Sequence, residues 1–339
     1  MNFKQNNKQG GKFNRVKTDN KKVCVVGAGH WGKNHIRTLN SLNALGGIVD
    51  INQDVLLSFK DNYPEAKFYT SMEEALEDNF DGFTVATPVE THFEIAKMII
   101  EHNHHVLVEK PITLNTTDAI ILNELSKKNS VNLMVGHVLL FHPAFRKIKN
   151  MVQNGIIGDL QYIYSNRLNL GTIRTEENVF WSLAPHDISL FQLLTESFPK
   201  KVTSRGTHIL QDGIHDSTIT TLEYPNNVMG HIFVSWLHPF KEHRFVVVGS
   251  KGMIRFEDSQ KEKPLIFYDK GVDWEAGKPI PRNGPTNIIQ YDNMLPLTLE
   301  LQYFVDHLDG KPVDISNGQD AIEVMKILES ATASLLATD

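Results

Sequence analysis

The sequence predicts an α/β doubly wound parallel sheet followed by an α+β domain with a large, mostly antiparallel open sheet. Three observations carry that reading. Short Val/Ile-rich runs alternate with helical stretches from Lys22 to Val135, the pattern of a parallel sheet covered on both faces. A glycine-spaced turn joins the first run to the first helical stretch. Beyond His142 the rhythm changes to long alternating strands in succession, which implies antiparallel pairing.

In chain order, Val23–Val26 reads as a strand and His30–Leu42 as a helix after the turn Gly27-Ala28-Gly29-His30-Trp31-Gly32. Gly46–Val49 is the second strand and ends on Asp50; Gln53–Asn62 follows as a helix and Ala66–Tyr69 as a strand. Ser71–Asp78 is a helix announced by Ser71 with Glu74 three residues on. Then come Gly82–Ala86 (strand), Glu90–Asn103 (helix), His105–Glu109 (strand), Thr116–Lys128 (helix) and Val131–Val135 (strand). Pro143–Asn154 is one more helix before the strands Leu160–Leu168, Lys201–Ile209, Ser217–Tyr224, Val228–Trp236, Phe245–Val248 and Gly252–Glu257. Asp269–Asn293, rich in Pro and Gly, reads as a loop near a site or an interface, and helices over 297–308 and 318–337 close the chain. The division expected is a disordered polar tail over 1–20, a nucleotide-binding domain over 21–142 and an α+β domain over 143–339 for substrate and oligomer contacts.

Bulk properties narrow the function. The formal net charge of −6, without a basic stripe, argues against nucleic acid and against an anionic membrane surface. No run approaches the ~18 apolar residues of a membrane span. The single cysteine, Cys24, lies in an apolar run and reads as a buried inert thiol, which fits a cytoplasmic protein. His102, His104 and His105 crowd one loop without acids or cysteines at ligand spacing, so no metal site is expected.

The glycine turn carries the chemistry. Gly27 permits the tight turn, Gly29 lets backbone approach a pyrophosphate, and Gly32 lets helix and sheet pack closely. The helix start supplies free N–H groups for phosphate, with His30 and Trp31 inside the turn. Asp50 stands where a carboxylate takes ribose hydroxyls, and Ile51-Asn52 offers no arginine for a 2′-phosphate, so NAD is expected over NADP in a Rossmann domain. The tips Ala86-Thr87-Pro88 and Glu109-Lys110-Pro111 end two later strands and so face the nicotinamide cleft.

These motifs, with Thr91-His92, Trp181-Ser182-Leu183-Ala184-Pro185-His186-Asp187 and Val247-Val248-Gly249-Ser250-Lys251-Gly252, resemble the glucose–fructose oxidoreductase/inositol dehydrogenase family (Gfo/Idh/MocA) over nearly everything after the tail. The resemblance implies a dehydrogenase that oxidises a sugar or cyclitol carbon with NAD(P). Thr87, Pro88, His92, Glu109 and Lys110 would then border the cofactor, and the sheet's free face would pack on another subunit as a homodimer or homotetramer. It also implies that Lys110 touches substrate and nicotinamide and that His186 is the general base. Many members carry an aspartate four residues before that histidine; this chain has Ser182, which leaves the division of labour between Lys110 and His186 open.

The stretches around His137, Tyr164, Arg167 and Asn169 resemble a branch that oxidises UDP-N-acetylglucosamine or a related UDP-amino sugar at C3, before a partner aminotransferase installs nitrogen. With Lys110, Ser182 and His186, those residues form the expected substrate set. Arginine suits a diphosphate, but Arg167 reads equally well as half of a structural ion pair. A free sugar, inositol or UDP-uronic acid is the alternative substrate, and a non-catalytic NAD-binding regulator the alternative class.

Overall fold

The computed structural model describes residues 21–337, so the tail expected over 1–20 lies outside the described residues. The first layer is β1 (Val23–Val26), α1 (Gly32–Ser41), β2 (Leu45–Val49), α2 (Gln53–Lys60), β3 (Lys67–Tyr69), α3 (Met72–Leu76) and β4 (Gly82–Val85). It continues through α4 (His92–Glu101), β5 (His105–Val108), α5 (Thr116–Lys128) and β6 (Leu133–Val135). The strands pair in the order β3-β2-β1-β4-β5-β6, all parallel. Strands β1 and β4 are buried at every residue, which is why their sequences run apolar without alternation. The chain reverses direction across the sheet between β1 and β4, and the crevice outside their carboxyl ends is where such sheets bind ligands. Local chemistry sets the helix starts: the Asn52 side chain accepts from the Asp54 and Val55 N–H groups, and Ser71 accepts from Glu74 N–H as its spacing predicts.

After a 3₁₀ turn at Val138–Phe141 come α6 (Pro143–Gln153), β7 (Leu160–Leu170), α7 (Val179–Leu183) and α8 (Pro185–Thr195). Then follow β8 (Lys201–Thr207), β9 (Ser217–Glu223), β10 (Met229–Ser235), β11 (Leu237–Gly249), β12 (Met253–Glu257), β13 (Leu265–Glu275) and β14 (Lys278–Ile288). The eight strands order as β14-β13-β12-β11-β7-β10-β9-β8, antiparallel except for β7 beside β10. Helix α8 covers one face: Phe191 packs so closely on Gly230 that a Cβ there would lie 2.7 Å from its ring. The other face carries half-buried Tyr162, Tyr164 and His231, with Tyr164 stacked on His231 at 5.1 Å.

The stretch expected as a loop over 269–293 is corrected here. Most of it belongs to β13 and β14, a hairpin closed at Ala276-Gly277, both at positive φ. Its far half is exposed on both faces, Trp274 at 70%, so no burial imposes alternation. β14 is an edge strand, the position where Pro279, Pro281 and Pro285 can do without the N–H a central strand must donate.

Helices α9 (Pro296–Val305) and α10 (Gly318–Leu336) return to the first sheet: α9 packs on α1, and α10 lies between α5 and β8. Ser316 ties this segment to the edge of β6, its carbonyl accepting from Val135 N–H at 2.8 Å and its hydroxyl donating to Val135 O at 2.5 Å. Cys24 is fully buried and burial pushes its thiol well up, as expected of an inert core residue. Among the described residues no helix is long and apolar enough to cross a membrane, and no cluster of His, Cys, Asp and Glu could hold a metal ion.

Candidate active site

Gly27 sits at φ +90°, and a Cβ there would meet the Ala86 carbonyl oxygen at 2.9 Å. A Cβ at Gly32 would lie 1.8 Å from the Gly27 carbonyl oxygen, so the turn closes only without one. Gly29 differs: nothing lies within 4 Å of its missing Cβ, leaving open space over the backbone. No side chain caps the N-terminus of α1, and its first turn holds no acid, so the positive end of the helix faces that space. Asp50 closes the arrangement, accepting from Ala28 N–H at 2.8 Å and from Asn52 N–H at 2.9 Å. An uncapped helix start, an open cradle at Gly29 and a carboxylate at the end of β2 fit a dinucleotide: pyrophosphate over the turn, ribose at Asp50.

The tip of β5 is fixed to the start of α1 by one buried carboxylate. Glu109 accepts from the Trp31 indole N–H, pairs with His35 Nε2 at 2.9 Å, and accepts from Lys110 N–H at 3.2 Å. His92, expected to touch the cofactor, instead spans the tips of β4 and β5. Its Nδ1 lies 2.9 Å from Pro111 O and its Nε2 2.9 Å from Thr87 O, which leaves no ring nitrogen for a ligand. The Lys110–Pro111 peptide between these anchors is cis.

These elements and the start of α8 border a cleft of about 690 Å³, the size of a small-molecule site. It gathers His30, Trp31, Thr87, Pro88, His92, Glu109, Lys110 and His186 of the expected residues. Lys110 Nζ donates to the Ser182 carbonyl oxygen at 3.3 Å. Burial, then Arg167 and Arg174, pull its ammonium below the usual lysine range against the opposing pull of Glu109 and Glu177. His186, in the first turn of α8, is driven well below the usual histidine range by burial and then by Lys110, Arg167, His137 and His243, which favours its neutral form. Its Nδ1 finds no partner among the described residues. His137 lies buried close by, pushed down to about 4 by burial.

Two expected substrate residues are corrected. Arg167 binds Asp187 of α8 through two hydrogen bonds, Nε at 2.8 Å and Nη2 at 3.1 Å, with both side chains nearly buried. This edge of the guanidinium is engaged by a structural pair formed between strand and helix, and Arg167 does not line the cleft. Tyr164 projects from the opposite face of β7, stacked on His231 and away from the cleft. Asn169 follows Arg167 on its face of β7 but does not line the cleft.

Among the cleft residues that escaped the sequence reading are Arg174, Glu176 and Glu177, from the segment between β7 and α7. Glu177 is half-buried and within electrostatic reach of Lys110 and Arg174; burial raises its pKa. Their only trace in the sequence is the charge run Arg174-Thr175-Glu176-Glu177 ahead of a helix, which ordinarily marks a solvated loop.

Comparison with known proteins agrees with this architecture. Residues 21–137 match the Gfo/Idh/MocA group described as an oxidoreductase family with an NAD-binding Rossmann fold, and residues 145–255 match its C-terminal domain. The myo-inositol 2-dehydrogenase of Thermotoga maritima is 27% identical over 266 residues, covering 74% of this chain and 79% of that protein. The UDP-N-acetylglucosamine 3-dehydrogenase of Acidithiobacillus ferrooxidans is 29% identical over 189 residues, 56% of this chain and 58% of its own length. A solved structure of that enzyme superposes with a TM-score of 0.82 at 22% identity, covering 93% of this chain and 97% of that one.

Proposed function

This chain belongs to the Gfo/Idh/MocA oxidoreductases, and on that premise we propose that it oxidises a sugar hydroxyl to a ketone with Lys110 as the base. The observation that carries this reading is the lysine itself: a half-buried side chain at the end of β5, its amine held by the Ser182 carbonyl in a cleft shared with the glycine turn. The turn over Gly29, the α1 N-terminus and Asp50 would hold NAD, whose nicotinamide accepts the hydride from the alcohol carbon. As the carbonyl forms, the hydroxyl O–H bond breaks and an N–H bond forms on Lys110. A base poised near working pH does this best, and burial moves Lys110 in that direction. His186, whose imidazolium is disfavoured by burial and four cationic or protonatable neighbours, is the weaker base; we assign it to orienting the hydroxyl as a neutral hydrogen-bond partner.

The substrate we propose is UDP-N-acetylglucosamine or a related UDP-amino sugar, oxidised at C3 to a ketosugar for a pathway aminotransferase. The Acidithiobacillus relative supports it, and Arg174 is the guanidinium in the cleft able to meet a diphosphate. A second reading, a free cyclitol, is favoured by the Thermotoga relative, which matches a larger share of the chain, and by the acids Glu90, Glu176 and Glu177 that line the cleft. Incubation with NAD and each candidate, following NADH and loss of H₂ from the sugar by mass, decides between them. Turnover of myo-inositol without any UDP-sugar would replace the first substrate by the second. Lys110→Met should lower kcat by ~10²-fold or more, and full activity in that variant refutes the assigned base.

For the open face of the eight-stranded sheet we propose a second copy of this chain. Half-buried Tyr162, Tyr164 and His231 and half-exposed Ile219 form an aromatic and apolar strip there. Light scattering that returns a monomer at micromolar concentration would remove this proposal.

A further inference from the structure

The buried residues of α9 are Leu299, Glu300, Leu301, Phe304 and Val305, apolar side chains and one acid. Glu300 is 0% exposed, and neither of its carboxyl oxygens has a hydrogen-bond partner among the described residues. An ionised carboxylate stranded in such a place is costly, so the stable form of the group is the uncharged acid.

The fold sets this acid over the carboxylate that braces the glycine turn. Helix α9 packs on α1 and on the 3₁₀ turn Val138–Phe141. Glu109 lies between those two elements. Trp31 and His35 hold it from α1 and its cap, and at Gly136, two residues before the 3₁₀ turn, a Cβ would sit 2.8 Å from Glu109 Oε2. His35 is also 0% exposed, with Nδ1 unpartnered. Two carboxyls facing one buried space cannot both be ionised, and hydrogen bonds decide which keeps the charge. Glu109 accepts from the Trp31 indole N–H and from Lys110 N–H and pairs with His35 Nε2 at 2.9 Å, whereas Glu300 has no donor. We propose that Glu300 is a positioning residue of the NAD site, held as a neutral acid, and that its proton is what lets α9 close over the Glu109 brace.

Among the described residues the surroundings supply no counter-charge. On α1, Lys33 and Arg37 are exposed and His35 alone of the basic residues is buried. The 3₁₀ turn carries no charged residue, and burial pushes the flanking His137 and His142 down to about 4, which favours their neutral forms. Strand β4, which meets Phe304 at Gly82, has no titratable side chain, and Tyr303 of α9 itself packs on Phe141 and His307. Burial and the Glu109 charge both oppose ionisation of Glu300. Loss of its proton would set two like charges together under α1, loosening the hold of Glu109 on Trp31 and His35 and so the start of α1 over which the pyrophosphate lies.

The test compares wild type with Glu300→Gln, an uncharged analogue of the same shape. Infrared spectra at neutral pH, without NAD, should show the C=O stretch of a protonated carboxylic acid in wild type that is missing from Glu300→Gln. NAD titrations followed by protein fluorescence, carried from pH 7 upward, should weaken in wild type by up to ~10-fold per pH unit once that band begins to fade, and Glu300→Gln should show no such fall. Spectra without a difference in the acid band overturn the proposal, since Glu300 is then ionised. A band that is present, with NAD affinity following the same pH course in both proteins, overturns the positioning role. If Glu300→Gln does not accumulate, Glu300→Leu takes its place. If neither folds, Glu300→Asp must show an acid band displaced from that of wild type, and an undisplaced band overturns the proposal. Neither readout uses turnover, so both are independent of the assignment of Lys110 as the base.

Discussion

The pair Arg167–Asp187 offers the sharpest test, because a structural and a substrate-binding arginine respond oppositely to mutation. Asp187 is 2% exposed and the guanidinium side chain 14%, so removing one partner strands a charge in a low-dielectric site. Asp187→Leu leaves a guanidinium that cannot shed its proton, without its carboxylate and within electrostatic reach of Lys110. The expected cost is ~3–5 kcal/mol, or a Tm lower by roughly 6–20 °C at 2–4 °C per kcal/mol. Arg167→Met should cost less, since the orphaned carboxyl can take up a proton, and the gap between the two variants should widen as pH falls. Arg167→Met/Asp187→Leu removes both charges and should return to within ~1–2 kcal/mol of wild type. Urea denaturation and calorimetry read all three, and KM for a UDP-sugar is measured beside them. Wild-type stability in Arg167→Met together with a large, selective rise in KM would refute the reasoning and restore the arginine to the substrate.

The two turn glycines should separate binding from folding. Gly29→Val projects into open space, so stability should stay within ~0.5 kcal/mol of wild type while NAD affinity, measured by fluorescence titration, falls at least tenfold. Gly32→Ala must displace a carbonyl 1.8 Å away and should fail to accumulate as folded protein; normal Tm in both variants with normal NAD binding contradicts the assignment of the turn. For His137 the folded pKa, about 4, lies below the ordinary value of about 6.5, so the unfolded chain binds the extra proton between those limits. Its contribution is intact above about pH 6.5 and is lost as pH falls toward about 4, by up to ~1.4 kcal/mol per unit. Urea midpoints of wild type should therefore drop from pH 7 to pH 5, and His137→Leu should flatten that drop; equal slopes would show that this histidine titrates normally. Asp50→Ala should weaken NAD while narrowing the preference over NADP, checked by initial rates with both.

How much could be read from the chain alone followed from how locally each feature is determined. The parallel sheet was legible because strands buried on both faces print as continuous apolar runs and the Gly27–Gly32 spacing has one steric cause. The capping of α3 by Ser71 needed only three residues of context. The hairpin β13–β14 was not legible: it buries little, so no period-2 pattern marks it, and its prolines imitate a loop. Arg167 is settled by Asp187, twenty residues away on another element, and no local rule says which of two plausible anions an arginine meets. Glu177 looked like loop charge because its place in the cleft with Lys110 comes from folding two distant segments together. His92 sits in a matching motif, yet only the tertiary structure reveals that both ring nitrogens are taken by backbone.

The Val135–Ser316 tie also dictates an order of events during synthesis. Strands β1 to β6 have all been made by residue 135, but the edge of β6 acquires its covering segment only when residues 315–317 leave the ribosome. Until then the nascent N-terminal half presents an unpaired strand edge for nearly two hundred residues of translation, as a truncated chain would permanently. Strand β7 waits in the same way, since both of its neighbours, β10 and β11, are encoded some sixty or more residues later. The edge of β6 is therefore completed only by the segment just ahead of α10, the last helix.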